Sequence, residues 1–135
     1  MNNSQRGYTA YVISSVMKEA LVVGFPPAHE QIYGDHITEQ FKVVKGPNLD
    51  DWLNDWFHAY NCKIIDYYKN DEFDVFTCSI DNSLMRPDMK PYHLTWSKSE
   101  QTSKGPKDSI EAIRPEFLVK KVNLDFKVLL KFFPF

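Results

Sequence analysis

The chain of 135 residues is 43% hydrophobic and 15% aromatic, with a formal net charge of −2 and an isoelectric point near 6.1. This composition is typical of one globular domain over residues 1–135 and excludes a disordered chain. The acidic balance argues against long RNA or DNA as a partner, because such partners bind basic surfaces. It favours a small ligand or the end of a nucleic acid.

The termini and the cysteines exclude several further classes of protein. Residues 1–6 are polar and lack the apolar core of a signal peptide, and no apolar run is long enough to span a membrane. Cys62 and Cys78 are isolated and do not have the spacing of metal ligands. The sequence therefore predicts a cytoplasmic protein that uses no membrane partner, metal or other cofactor. It leaves the oligomeric state open.

The first half of the chain alternates predicted strands with predicted helices. Alternation of apolar and polar residues predicts a strand, and apolar spacing of three and four residues predicts a helix. In chain order these elements are a strand over 8–14, a helix over 16–23, a loop over 28–34, a strand over 35–44 and a helix over 51–60. Trp52, Trp56 and Tyr60 share one side of the last helix, which we expect to face the core.

The second half is richer in strands. Two β-rich runs, 63–68 and 73–80, are separated by a short polar turn and predict a hairpin. After it come a loop over 82–91, a strand over 92–97, a mobile loop over 99–109, a short helix within 110–120 that breaks at Pro115, and a long strand over 122–133. The predicted fold class is α+β.

One pattern, His-x-Thr, occurs twice: at residues 36–38 and at residues 93–95. Both copies lie in predicted strands, where residues i and i+2 point to the same side. Each strand therefore places an imidazole and a hydroxyl on one face, with Ile37 or Leu94 on the other. If the alternation continues, Gln40 and Ser97 join the same faces.

These residue types suit acid–base chemistry at phosphorus. Histidine has an unperturbed pKa near neutrality, so one imidazole can accept a proton while the other donates one. The hydroxyls of Thr38 and Thr95 can donate hydrogen bonds to phosphate oxygens that gain charge in the transition state. His36, His93, Thr38 and Thr95 are therefore the predicted catalytic residues.

The two motifs resemble the signature of the 2H phosphoesterase superfamily. That family includes RNA 2′,3′-cyclic phosphodiesterases and phage proteins that cleave cyclic oligonucleotide immune signals. Residues 93–97 followed by 104–109 are similar to a small phage and bacterial branch of it, and the resemblance runs from Gly7 to the last strand. It implies two pseudo-symmetric lobes of antiparallel sheet with flanking helices and a central cleft.

We therefore expect a metal-independent phosphodiesterase that cleaves cyclic nucleotide signals or 2′,3′-cyclic phosphate ends of RNA. It would act in the cytoplasm, which is that of the host if the protein is phage-encoded. Two alternatives remain open: a module that binds and sequesters a nucleotide or RNA end without turnover, and an unrelated α+β interaction protein in which the motif pair is accidental. The predicted substrate-binding residues are Gln40, Ser97, Lys104, Lys107 and Ser109.

Overall fold

Seven antiparallel strands form one sheet in the computed structural model, which describes residues 5–45 and 59–134. The strands are β1 (Gln5–Val12), β2 (Gln31–Ile32), β3 (His36–Lys45), β4 (Ala59–Lys69), β5 (Phe73–Ile80), β6 (His93–Lys98) and β7 (Leu118–Pro134). Helix α1 (Ser15–Gly24) follows β1, and the 3-10 helices η1 (Pro106–Ala112) and η2 (Pro115–Phe117) lie between β6 and β7. The α+β class, with an antiparallel sheet, is confirmed.

Most predicted elements are present, with three differences. The helix expected over 51–60 lies outside the described residues up to position 58, together with Trp52 and Trp56, and its last two residues instead begin β4. The short strand β2 lies within the segment expected to be a loop. The helix expected within 110–120 is replaced by two 3-10 helices: η1 begins inside the expected loop over 99–109 and ends at Ala112, and Pro115 begins η2 instead of breaking a helix.

Helix α1 begins and ends at residues that the sequence marks clearly. The hydroxyl of Ser14 accepts the backbone N–H of Met17 at 3.2 Å, which caps the first turn. Phe25 closes the last turn by donating its N–H to the carbonyl of Leu21 at 2.7 Å. Pro26 and Pro27 then prevent continuation. No helix in residues 5–45 and 59–134 is long and apolar enough to cross a membrane.

The sheet curls so that its two edges approach each other. Its order is β2-β6-β5-β4-β7-β1-β3, so the edge strands β2 and β3 are neighbours in sequence. Only residues 33–35 connect them, and the chain from Ile32 to His36 spans at most about 14 Å. Tyr33 N–H donates to Trp96 O at 2.8 Å, which ties this connection to β6. The curl brings β3 close to β6.

Apolar side chains from both halves of the chain fill the interior of the curled sheet. Trp96, Phe76 and Leu94 are fully buried there, together with Ile37 from β3. A smaller cluster packs Phe73 and other apolar residues of β5 against η1, so β5 is buried on both faces. Ile37 and Leu94, the middle residues of the two motifs, therefore point into the core as expected.

Candidate functional site

A cavity of about 480 Å³ brings the two His-x-Thr motifs together. His36 and Thr38 of β3 line it, as do His93 and Thr95 of β6. The other lining residues come from β1, the β2–β3 connection, the β5–β6 loop and η1: Tyr8, Tyr33, Gly34, Asp35, Arg86, Lys90, Pro106, Lys107, Asp108 and Ile110. Two segments 57 residues apart in sequence thus contribute the same residue types to one cavity.

His93 is nearly buried and is held in one tautomer. Its Nδ1 lies 2.9 Å from the carbonyl oxygen of Pro91, and because a carbonyl only accepts, Nδ1 carries the proton. Nε2 has no hydrogen-bond partner among the described residues. The only described side-chain nitrogen or oxygen atom that is both buried and unpartnered is Asp66 Oδ1, so Nε2 of His93 is reachable from solvent.

His36 is held by ring contacts. Its imidazole lies 5.9 Å, centroid to centroid, from the rings of both Tyr8 and Phe133. Tyr8 and Phe133 in turn stack on each other at 5.1 Å. Neither ring nitrogen of His36 has a hydrogen-bond partner in residues 5–45 and 59–134, so both are available to a ligand.

The pKa values of both histidines are lowered, for related reasons. Burial lowers the pKa of His93, and the positive charges of Arg86 and Lys90 lower it further, while the hydrogen bond to Pro91 and the carboxylate of Asp88 oppose the shift. Burial also lowers the pKa of His36, while the carboxylate of Asp35 opposes the shift. Burial therefore disfavours the protonated form of both rings, and each ring has a nearby carboxylate that opposes this, Asp35 for His36 and Asp88 for His93.

The two threonine hydroxyls differ in their hydrogen bonds. Thr95 Oγ1 donates to the carbonyl of Pro106 at 3.2 Å and lies 2.7 Å from the hydroxyl of Ser109. Since Thr95 has a single proton, Ser109 donates to Thr95. Thr38 has no hydrogen-bond partner among the described residues. The motifs match in position, but in this state only Thr38 has an uncommitted donor.

The third position of each motif face does not reach the cavity, and a strand irregularity explains this for Gln40. In the β1–β3 pairing, Ala10 is opposite Thr38 and Thr9 is opposite Gln40, so Glu39 is an extra residue on β3. One extra residue in a strand interrupts the alternation of side chains. Gln40 is exposed and does not line the cavity.

The same irregularity follows the second motif. In the β5–β6 pairing, Val75 is opposite Thr95 and Asp74 is opposite Ser97, so Trp96 is the extra residue on β6. Ser97 is fully buried and does not line the cavity. The expectation that 93, 95 and 97 share one cavity face therefore holds for the first two residues only.

Ser97 instead belongs to a buried network around Asp74. Its hydroxyl donates to Asp74, which also accepts from the Tyr67 hydroxyl at 2.5 Å and from the Ala28 N–H at 3.1 Å. Ser97 Oγ accepts the N–H of His29 at 3.0 Å. The network attaches the segment after α1 to β5 and β6, so Ser97 has a structural task outside the cavity.

Of the three predicted binding residues in the segment 104–109, only Lys107 lines the cavity. Ser109 is fully buried behind Thr95, with which it shares a hydrogen bond, and it does not line the cavity. Lys104 instead bridges Glu72 at 2.9 Å and Glu111 at 2.8 Å, away from the lining residues. This double ion pair fixes the segment before η1, which the sequence predicted as a mobile loop.

Tyr8, Tyr33, Arg86 and Lys90 are among the lining residues that the sequence did not single out. A signal existed for the last two, because their loop returns to β6 just before His93 and contains two prolines. Nothing in the sequence indicated that Tyr8, which lies in a predicted strand, would face His36. No group of three potential metal-binding side chains occurs in the described part of the chain.

Comparisons with known proteins find no matching family model, no matching curated protein and no matching solved structure. Function must therefore be inferred from the cavity and the chemistry of its residues.

Proposed function

We propose that the protein is a metal-independent phosphodiesterase that cleaves nucleotide phosphodiesters, with His36 and His93 as its proton-transfer pair. The observation that carries this proposal is that two His-x-Thr segments on β3 and β6 line one cavity. Two imidazoles supply both proton transfers that hydrolysis or transesterification at phosphorus needs. The strand irregularity after each motif adds support, because such bulges are common beside active sites.

His93 is the proposed general base. The carbonyl of Pro91 keeps the proton on Nδ1, so Nε2 presents its lone pair. Burial and the nearby charges of Arg86 and Lys90 disfavour a protonated ring, and they outweigh the opposing carboxylate of Asp88. Nε2 accepts the proton of the attacking water or 2′-hydroxyl while the oxygen of that nucleophile forms the new bond to phosphorus.

His36 is the proposed general acid. The carboxylate of Asp35 favours its charged form, and the negative charge of a bound phosphodiester favours it further. The protonated ring gives its proton to the leaving oxygen as the old bond to phosphorus breaks. Thr38 donates a hydrogen bond to a non-bridging oxygen. Thr95 does the same once its hydroxyl rotates away from the carbonyl of Pro106.

The proposal extends to the architecture implied by the family resemblance. In it, β3 with β1 and β6 with β5 are the centres of two pseudo-symmetric lobes, and the cavity is the cleft between them. Each lobe contributes one motif followed by one extra strand residue. The proposed site of action is the cytoplasm, that of the host if the protein is phage-encoded.

The proposed substrates are cyclic nucleotide signals or 2′,3′-cyclic phosphate ends of RNA, with the former favoured by the acidic net charge. Tyr8 and Tyr33 line the cavity and offer aromatic surfaces on which a base can stack. Lys107 and Lys90 add positive charge there, and neither has an ion-pair partner among the described residues.

The test is incubation with a panel of cyclic mono-, di- and trinucleotides and a 2′,3′-cyclic RNA, with product identification and with EDTA in parallel. We expect cleavage of at least one class, unaffected by EDTA and reduced by roughly 10²- to 10⁴-fold in His93→Ala. His29→Ala is the matched control, because His29 bonds the Asn70 carbonyl at 3.0 Å and does not line the cavity. Loss of turnover on chelation, restored by a divalent ion, contradicts the mechanism.

A sequestering module is the second candidate, and one observation favours it. The pKa of both imidazoles is lowered in the unliganded protein, which disfavours the protonated ring that a general acid needs. A binding protein needs no general acid. Tight binding of one panel member without any product would select this candidate over the enzyme.

A further inference from the structure

Arg86 is a buried cation in the wall of the cavity. Its side chain is 3% exposed, and it lines the cavity together with His93. Arginine is rarely buried to this extent unless neighbouring groups balance its charge. The arrangement of those groups indicates what this residue does.

Asp88 orients the guanidinium through two hydrogen bonds. Nε of Arg86 donates to Oδ1 at 3.0 Å, and Nη2 donates to Oδ2 at 2.5 Å. Oδ1 also accepts the backbone N–H of Lys90 at 3.1 Å, and the N–H of Arg86 donates to the Lys90 carbonyl at 2.8 Å. A two-point pairing fixes the plane of a guanidinium, so the arginine is oriented before any ligand arrives.

The backbone of this turn adopts a conformation that most residues avoid. Met89 has a φ of 66°, in the left-handed region that disfavours a side chain with a Cβ. Its side chain is 76% exposed, so side-chain packing does not impose the conformation. The hydrogen bonds around Arg86 and Asp88 do, and local strain of this kind is concentrated at binding sites.

The ion pair is unequal in its exposure. The Asp88 side chain is 44% exposed, whereas that of Arg86 is 3% exposed. Water therefore screens the carboxylate, while the guanidinium lies in the cavity wall with Lys90 beside it. The cavity lining carries three cationic side chains, Arg86, Lys90 and Lys107, against two carboxylates, Asp35 and Asp108. Asp35 pairs with Lys18, which lies outside the lining, at 2.8 Å. The side of the cavity that carries Arg86 and Lys90 therefore fits a negatively charged group.

We propose that Arg86, oriented by Asp88, binds the charged oxygens of a phosphoryl group beside His93, with Lys90 adding positive charge. This inference rests on the proposed function, because a phosphodiester is the group on which His36 and His93 act. The planar N–H donors of a guanidinium match phosphate oxygens in geometry. Thr38 and Thr95 are neutral, so Arg86 supplies a fixed positive charge that these two hydroxyls lack.

Inorganic phosphate is the probe for this site, followed by NMR of isotopically labelled protein. In the wild type, phosphate should shift the side-chain signals of Arg86 and the ring signals of His93. Arg86→Gln should weaken phosphate affinity by roughly 10- to 100-fold, because it removes a charge-assisted hydrogen bond. Arg86→Lys keeps the charge without the planar donors, so its phosphate affinity should lie between those of the wild type and Arg86→Gln.

Arg114→Gln is the matched control. The Arg114 side chain is 63% exposed and pairs with Glu116 at 3.9 Å, outside the cavity lining. It removes the same charge and should leave phosphate affinity unchanged. Equal phosphate affinity in Arg86→Gln and Arg114→Gln overturns the inference, and so do unmoved Arg86 signals in the wild type. The wild-type signals decide the matter even if Arg86→Gln does not fold.

Turnover on the nucleotide panel separates this inference from the proposed function. If phosphate binding depends on Arg86 but no substrate is cleaved, the anion site is supported and the phosphodiesterase proposal is rejected. Cleavage together with phosphate binding that ignores Arg86 keeps the phosphodiesterase and rejects the anion site.

Discussion

Gly34 lies against the indole ring of Trp96. A Cβ atom at position 34 would come within 2.5 Å of Cζ3 of that ring, and Gly34 has a φ of 89°. Trp96 is fully buried, and its Nε1–H donates to the carbonyl of Phe25 at 2.8 Å, so the ring cannot move aside easily. Glycine is therefore required two residues before His36, in the short connection that joins the two edges of the sheet.

Gly34→Ala should destabilise the protein and disturb the cavity. The positive φ disfavours any Cβ, and the added methyl group overpacks the contact with Trp96. Together these effects should lower the free energy of unfolding by roughly 2–5 kcal/mol, as measured by urea denaturation.

Gly24→Ala is the control for this substitution. Gly24 is the last residue of α1, and no atom lies within 4 Å of the position that an alanine methyl group would take there. Alanine is favoured over glycine in a helix, so this variant should keep its stability or gain about 0.5–1 kcal/mol. An equal loss of stability in both variants contradicts the role assigned to the contact between Gly34 and Trp96.

Strand alternation was sufficient to predict the motif faces but not their extent. Ile37 and Leu94 are in the core, and the flanking His and Thr residues line the cavity. The extra residues at Glu39 and Trp96 then interrupt the alternation. A bulge depends on how two strands pair, and a single strand's sequence does not reveal its partner's register. Because the sequence does not show these bulges, its prediction that Gln40 and Ser97 line the cavity is wrong.

Long-range contacts account for the remaining differences. Lys104 lies in a polar segment that is typical of a solvated loop. It nevertheless pairs at 2.9 Å with Glu72, which lies 32 positions earlier in the chain. Asp88, two residues away in sequence, orients the Arg86 side chain through two hydrogen bonds, so this arrangement is local. The relation of Arg86 to His36 required the curl of the sheet, which sequence periodicity does not specify.

The different partners of the two threonine hydroxyls predict different stabilities for their variants. Thr95→Val should lower the free energy of unfolding by about 1–3 kcal/mol, because it leaves the buried hydroxyl of Ser109 without its acceptor. Thr38→Val removes no described hydrogen bond and should stay within about 0.5 kcal/mol of the wild type. Urea denaturation measures both values.

A double variant separates stability from function at this site. Thr95→Val combined with Ser109→Ala removes both hydroxyls and leaves only the Pro106 carbonyl without its donor, so most of the lost stability should return. Under the proposed function, turnover should remain roughly 10²- to 10³-fold lower in every variant that lacks a motif hydroxyl. Recovery of turnover along with stability would show that Thr95 acts only as a structural residue.

The lowered pKa of His93 predicts a loss of stability on acidification. Below about pH 6.5, the ordinary value for histidine, the unfolded chain takes up a proton that buried His93 resists. The unfolded state then binds more protons, so the free energy of unfolding falls as the pH drops through the window between 6.5 and the lowered pKa. Above this window the contribution of His93 is fully present.

Denaturation at pH 7.5, 6.5 and 5.5 tests this, with His93→Gln as the variant. The substitution should flatten the pH dependence whatever it does to stability at pH 7.5. His29→Gln is the control, because it leaves His93 and its hydrogen bond to Pro91 in place. An unchanged slope in His93→Gln would assign the pH dependence to other groups.

The last prediction concerns the histidine pair itself. His36→Ala and His93→Ala each remove a proton-transfer group while leaving the threonines and Arg86 in the cavity, so turnover should fall by roughly 10²- to 10⁴-fold. Ligand binding, measured by calorimetry, should persist, because a proton-transfer group contributes more to the transition state than to the ground state. The double variant should lose little beyond the worse single variant, since the two groups act as a unit. Full turnover in both single variants would make the two His-x-Thr segments a coincidence, because no other pair of imidazoles lines the cavity within the described residues.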